Sequence, residues 1–223
     1  MSDAARAPEV PAPAPDVPVW KLLTVLGGGG ALAGLIIVFA YEASQPRIRA
    51  HKAAVLEASV KEVLGGPASF DPLYVVDGRL TTKLPAGADP AKLDKVYAGR
   101  SADGKPAGFA IVAAEPGFAD DIRLIFGYDA ATHRILGFKV LENKETPGLG
   151  DGIEKNAKYT SQFPTKTAPL VPIKKGQSRG NPASEVETIT GATISSSTVV
   201  RIINHAVERW DPLLGAWPAG GDQ

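Results

Sequence analysis

The stretch GFAIVAAEPGFADDIRLIFGYDAATHRILGFKVL, residues 108–141, decides the fold class. It holds three strand candidates, Gly108–Ala113, Ile122–Tyr128 and Ile135–Leu141, rich in the branched and aromatic side chains that suit a pleated, half-buried surface. Asp129–His133 turns the chain between the second and the third. Upstream, Lys95–Ala98 is a further candidate, followed by a turn at Asp103-Gly104, and Leu73–Val76 and Leu80 flank Asp77-Gly78, a hairpin-type turn. Strands that succeed one another through short connections predict an antiparallel sheet. No helix of crossover length separates them and no G-x-G-x-x-G occurs, which argues against a Rossmann fold.

Helical periodicity brackets this run. Before it, from about residue 46 to 64, Ile48, Val55, Leu56, Val60, Val63 and Leu64 form an apolar stripe that Gly65-Gly66-Pro67 ends. After it, a helix is expected near Gly152–Phe163. A last one starts at Gly191-Ala192-Thr193, carries Ile194, Val199, Ile202, Ile203, Ala206, Val207 and Trp210 at helical spacing, and is expected to close at Asp211-Pro212. The fold class is therefore α+β, an antiparallel sheet with packed helices.

The chain has 223 residues, 44% hydrophobic and 22% charged, enough for one core of ordinary size. Lys plus Arg and Asp plus Glu number 24 each, so there is no broad basic field to hold nucleic acid through its phosphates. No cysteine occurs, which excludes disulfides, Cys-ligated iron–sulfur clusters and Cys-based zinc sites. His51, His133 and His205 are far apart and show no metal-ligand spacing, so no metal site is expected. Redox chemistry would have to come from a bound organic cofactor.

Residues 1–19 are Ala/Pro-rich and read as a disordered tail. From Leu22 to Ala40 no residue is charged, and about 19 apolar residues match the span of the bilayer hydrocarbon as a helix. Trp20 and Tyr41 frame the run as interfacial residues, so 20–41 is expected to be a transmembrane helix. A cleaved signal peptide ending at Val38-Phe39-Ala40 is the competing reading. The acidic, Pro-rich leader and the length of the run favour a retained anchor. Gly27 to Gly30 lack the Gly-Lys-Ser/Thr of a phosphate loop; Gly30 and Gly34, with Gly27 and Ala31 one turn earlier, offer instead a face that another membrane helix can approach. Arg47, Arg49 and Lys52 follow the run and only Arg6 and Lys21 precede it, a balance that taken alone would put the C-terminal domain in the cytoplasm.

Chemistry concentrates between Thr188 and Thr198, where Thr188, Thr190, Thr193, Ser195, Ser196, Ser197 and Thr198 cluster at a helix start. Capping alone accounts for one hydroxyl. It leaves unexplained the small Gly191-Ala192 beside Thr193 and the surplus of hydroxyls. A helix N-terminus also favours a phosphate, whose free oxygens neighbouring hydroxyls could bond. Glu187-Thr188-Ile189-Thr190-Gly191-Ala192-Thr193-Ile194-Ser195 resembles the flavinylation motif D/E-x-x-S/T-G-A-T-x-S/T of the FMN-binding domain family, which includes the G subunit of the Rnf complex and the C subunit of the sodium-translocating NADH:quinone reductase. Glu145-Thr146-Pro147-Gly148-Leu149-Gly150 is similar to a second motif of that family, a loop lying against the flavin. A His that often precedes this loop is replaced here by Asn143, so no role for it carries over.

The resemblance implies FMN joined by a phosphoester to Thr193, placed there by a flavin transferase. Thr190, Gly191, Ala192, Ser195, Ser196 and Glu145 to Gly150 would surround it. It further implies an FMN-binding domain over 42–212, a C-terminal tail over 213–223, a place in a bacterial inner membrane with the domain on the periplasmic side, and partners among other membrane subunits. Of the two complexes, the short chain and the compact helix after the anchor favour Rnf. No acid–base pair or nucleophile–His pair stands out, so the expected part is electron carriage, with no catalytic residue of its own. A membrane-tethered binding module without flavin and a terminal reductase are the readings from other classes.

Overall fold

A computed structural model describes residues 18–84, 87–90 and 93–217, so most of both expected tails, 1–17 and 218–223, lies outside the described part. The chain divides into two compact units, Met1–Lys52 and Ala53–Gln223. The described part of the first unit is helical from Val19 onward, in helix α1 (Val19–Val63). Its apolar side chains, Leu22 to Phe39 among them, are exposed, and among the described residues it is the one helix long and apolar enough to cross a membrane. Two of its hydroxyls bond back to the helix: Thr24 Oγ1 donates to the Trp20 carbonyl and Ser44 Oγ to that of Ala40, each at 2.7 Å. The helical stretches expected over 20–41 and 46–64 belong to this single helix, with Pro46 inside it. Proline there removes one i→i−4 bond, a loss carried by the helix-favouring Ala50, Lys52, Ala53, Ala54 and Leu56 that follow.

In the second unit the expected antiparallel sheet is present. Strands β1 (Ser69–Val76), β2 (Arg79–Thr81), β3 (Lys95–Arg100), β4 (Pro106–Pro116), β5 (Asp121–Asp129) and β6 (Arg134–Glu142) lie in the order β2-β1-β3-β4-β5-β6, every pair antiparallel. Asp77 and Gly78 both take positive φ, as the tight turn between β1 and β2 requires. One face of the sheet carries Leu73, Val96, Ile111, Leu124, Phe126 and Tyr128 into the main core. Against it packs α4 (Thr193–Gly215) through Val199, Ile202, Ile203, Ala206 and Trp210. The other face, with Ala110 and Ile125, receives Val60, Val63 and Leu64 from the end of α1. Gly127 and Gly137 face each other across β5 and β6, and a Cβ on either would run into the Val63 backbone, 2.7 Å from its Cα in the case of Gly137. Glycine at both places lets the helix end settle on the sheet.

Three local expectations are corrected. The helix near Gly152–Phe163 is two single turns, α2 (Gly152–Lys155) and α3 (Ala157–Thr160), because Asn156 takes an extended conformation between them and its side chain accepts the Lys158 N–H at 3.0 Å. α4 runs past Asp211-Pro212 to Gly215, held by buried Leu214 and by Asp211, whose carboxylate accepts the Tyr128 hydroxyl at 2.6 Å. A small second sheet, β7 (Val171–Ile173) and β8 (Glu185–Glu187), is parallel and delivers the chain to the start of α4.

Candidate functional site

Thr193 is the first residue of α4 and does not cap it: the N-cap position belongs to Ala192, which has no polar side chain to offer. Gly191, at φ +85°, makes the bend that brings the chain into the helix, a conformation other residues adopt only at a cost. Thr193 is exposed, and its hydroxyl has no partner among the described residues. The N–H groups of Thr193, Ile194 and Ser195 find no backbone acceptor. A reactive hydroxyl, three open donors and the positive end of a 23-residue helix thus coincide.

The neighbouring hydroxyls divide in a way that residue type did not reveal. Ser195 and Ser196 are buried and committed to the protein. Ser195 Oγ donates to Glu145 Oε2 at 2.6 Å, while Ser196 Oγ donates to the Ala192 carbonyl at 2.7 Å and accepts the Ile189 N–H at 3.2 Å. Both hydroxyls direct their protons to the protein at the helix start. Ser197, half-buried, lines a cavity of about 430 Å³ with Thr193, Thr188, Lys174 and Arg179. Thr190 is exposed and lines neither this cavity nor its neighbour.

On the other side of Thr193 lies a cavity of about 340 Å³ walled by Phe118, Glu145, Thr146, Leu149, Gly150, Gly191, Ala192, Ile194 and Ser195. The two motifs therefore meet here. Pro147 and Gly148 make the bend without lining the cavity; Gly148 has φ +79°, and its N–H donates to Asp151 Oδ1 at 2.8 Å. Gly150 is required by space: a Cβ there would stand 2.8 Å from Glu145 Cβ and 2.7 Å from its Oε2. Asn143 accepts the Glu145 N–H at 3.3 Å and donates to Glu154 at 2.8 Å, a structural tie within the loop.

Glu145, 4% exposed, is the centre of this arrangement. Besides Ser195 it accepts the N–H groups of Phe118 at 2.9 Å and Ala119 at 3.1 Å. Burial pushes its carboxyl up, but the Ser195 hydroxyl and the N–H groups of Ala119, Phe118 and Asp120 outweigh that and hold it below its ordinary range. Glu185 does the same for the far wall. Burial raises it, but the Ser178 hydroxyl and the N–H groups of Arg179, Asn181 and Gly180 outweigh that and hold it below its ordinary range, so the loop carrying Arg179 is pinned. Phe118, Lys174 and Arg179 were not expected at the site; they come from segments without a motif, Phe118 and Arg179 brought in through their partners Glu145 and Glu185 and Lys174 by its place directly after β7.

The site fits a flavin mononucleotide: an exposed hydroxyl and open N–H groups suit a phosphate, and the apolar cavity beside them suits a planar ring. Residues 117–208 match the FMN-binding domain family, and the second unit has the corresponding fold, an antiparallel sheet with packed helices like that of NqrC from Shewanella oneidensis, with a TM-score of 0.62 at 18% identity over 75% of this chain and 99% of that one. The chain is thus similar to FMN-binding domains over this stretch. More particularly, it is similar to the G subunit of the ion-translocating oxidoreductase complex of Methanosarcina acetivorans, 26% identical over 190 residues that cover 85% of this chain and 93% of the relative. It is also similar to the G subunit of the Na(+)-translocating ferredoxin:NAD(+) oxidoreductase complex of Acetobacterium woodii, 28% identical over 156 residues, 69% and 72% of the two chains.

Proposed function

We propose that the chain is the G-type subunit of a membrane ion-translocating ferredoxin:NAD oxidoreductase complex of the Rnf kind, an electron carrier with FMN esterified to Thr193. The similarity to the Methanosarcina acetivorans G subunit over 93% of its length supports the complex. The likeness to NqrC supports the fold alone, so a place in the sodium-translocating NADH:quinone reductase is the weaker reading. Covalent attachment rests on one observation above the others: the Thr193 hydroxyl is exposed and unpartnered at the helix N-terminus, between a cavity with two cations and a cavity with apolar walls.

In maturation, a flavin transferase presents FAD. Thr193 Oγ1 bonds to the phosphorus of the FMN half, the bond to AMP breaks, AMP leaves and the hydroxyl proton is released. The open N–H groups of Thr193, Ile194 and Ser195 and the side chains of Lys174, Arg179 and Ser197 would hold the phosphodiester. Leu149 and Ile194 would exclude water from one face of the ring. The bound flavin supplies one- or two-electron transfer, while the protein places it. The α1 span tethers the domain to the membrane, with other membrane subunits as partners, and a periplasmic position for the domain agrees with covalent retention of a cofactor that would otherwise be lost by dilution.

Intact mass decides the attachment. The full chain, co-produced with its flavin transferase, is expected to exceed its sequence mass by FMN minus one water, and Thr193→Val is expected to abolish the increment. A wild-type chain at sequence mass under those conditions would favour a tethered module without flavin.

A further inference from the structure

Three large apolar side chains around the smaller cavity stand in solvent: Phe118 is 66% exposed, Leu149 54% and Ile194 57%. Leu149 and Ile194 belong to the two motifs. Phe118 belongs to neither; it sits in the turn between β4 and β5. That turn is fastened to the flavin loop by two separate ties. The buried Glu145 carboxylate accepts the N–H of Phe118 at 2.9 Å and of Ala119 at 3.1 Å, and Lys144 Nζ donates to Asp120 Oδ2 at 2.5 Å. Gly117 lets the turn come this close: a Cβ there would collide with Glu145 Oε1 and lie 2.9 Å from the Asp120 carbonyl. A flexible turn has no reason to be bound so tightly for the sake of an aromatic ring that the protein leaves uncovered. Exposed apolar groups gathered round a concavity mark a surface that something apolar covers.

We infer that Phe118 is a third wall of the flavin seat, an aromatic face held against the isoalloxazine by Glu145. This rests on the FMN reading of the site and adds a residue to it. The Phe118 ring contacts the cofactor, and Glu145 is a positioning residue that acts on the cofactor through it. An aromatic side chain stacked or edge-on to a flavin contributes contact that an aliphatic wall does not, and a tyrosine in the same place, unlike phenylalanine, can give an electron to the excited flavin and quench its emission.

The experiment uses the full flavinylated chain in detergent, comparing wild type with Phe118→Ala, Phe118→Tyr and Glu145→Ala. Intact mass is read first. Since Phe118 is exposed, the Phe118 variants are expected to fold and to keep the FMN increment. Visible circular dichroism of the flavin is then expected to weaken in Phe118→Ala and to keep its wild-type form in Phe118→Tyr, while flavin fluorescence per mole of flavin is expected to fall severalfold in Phe118→Tyr, whose ring quenches a flavin that it touches. Glu145→Ala is expected to move in the direction of Phe118→Ala. Unchanged dichroism in Phe118→Ala together with unchanged fluorescence in Phe118→Tyr, with the flavin still attached, would overturn this inference and leave the attachment at Thr193 standing. A wild-type chain without the mass increment would overturn the reading of the site, and this inference with it.

Discussion

Glu145 holds a charge in a place where solvent barely reaches it, and its three hydrogen-bond donors come from two other parts of the chain, Ser195 at the start of α4 and Phe118 and Ala119 in the β4–β5 turn. A buried charge is stable only when its acceptor sites are filled, and here they are. Its folded pKa lies below the ordinary value near 4.5. The sign follows: the carboxylate's contribution to stability is complete above the unfolded pKa and is lost as pH falls through the lower, folded one. Glu145→Gln keeps the shape and removes the charge. Urea unfolding is expected to find it about 1–2 kcal/mol less stable than wild type at pH 7, the gap holding to about pH 4.5 and shrinking below that as wild type becomes protonated. A gap that widened on acidification would contradict this account. Thr193 shows the complementary case. Composition alone made it one hydroxyl among several; the motif resemblance named it, and the positions of Ala192 as cap and of Ser195 and Ser196 as buried donors set it apart physically.

Elements are placed by pairs of residues that sequence separates. The end of α1 lies on Gly127 and Gly137, paired across β5 and β6, and the nearest atoms to a new Cβ at either are backbone atoms of Val63, which cannot rotate away. Gly127→Ala is therefore expected to cost about 1–3 kcal/mol by overpacking, measured by denaturant unfolding, whereas Gly104→Ala, in an open turn with no atom within 4 Å of its Cβ, carries only the local cost of its φ of +74°. The six-stranded sheet was legible because its strands are rich in branched and aromatic side chains and its turns carry their own signatures, Asp77-Gly78 and Asp103-Gly104 among them. The pair β7 and β8 was not: each is three residues long, Pro172 sits in one, and the charged Glu185 and Glu187 flank Val186 in the other. Their pairing follows from tertiary demands, with Glu185 tying residues 178–181 and Glu187 accepting the Gly176 N–H at 3.0 Å. The far end of α4 was misread for a related reason. Pro212 opposes the helix locally, but Leu214 is buried and Asp211 is engaged by Tyr128, and local preference yields to packing. Phe118 had no local signal at all, since nothing near it in sequence says that Glu145 binds its backbone.

For the molecule as a whole, charge balance and cofactor retention oppose each other over the side of the membrane on which the second unit is expected. Arg47, Arg49 and Lys52 follow the apolar run whereas Arg6 and Lys21 precede it, which by charge alone would keep the domain in the cytoplasm. That rule weighs short loops and loses force where a long folded domain follows the span, as the Ala53–Gln223 unit does here. A flavin that is esterified to its protein is useful where free flavin would be diluted away, which is outside the cytoplasm. The domain is therefore expected outside. In sealed right-side-out spheroplasts, an added protease is expected to degrade an epitope placed at the C-terminus without detergent, and to leave one at the N-terminus intact until the membrane is opened. The second unit also has its own core, with both faces of its sheet covered by helices. A chain starting at Ala53 is accordingly expected to remain soluble after membranes are pelleted and to unfold cooperatively, while the full chain pellets with them. Protection of the C-terminal epitope in spheroplasts, with cleavage at the N-terminus, would show that the charge balance governs and would place the flavin on the cytoplasmic side.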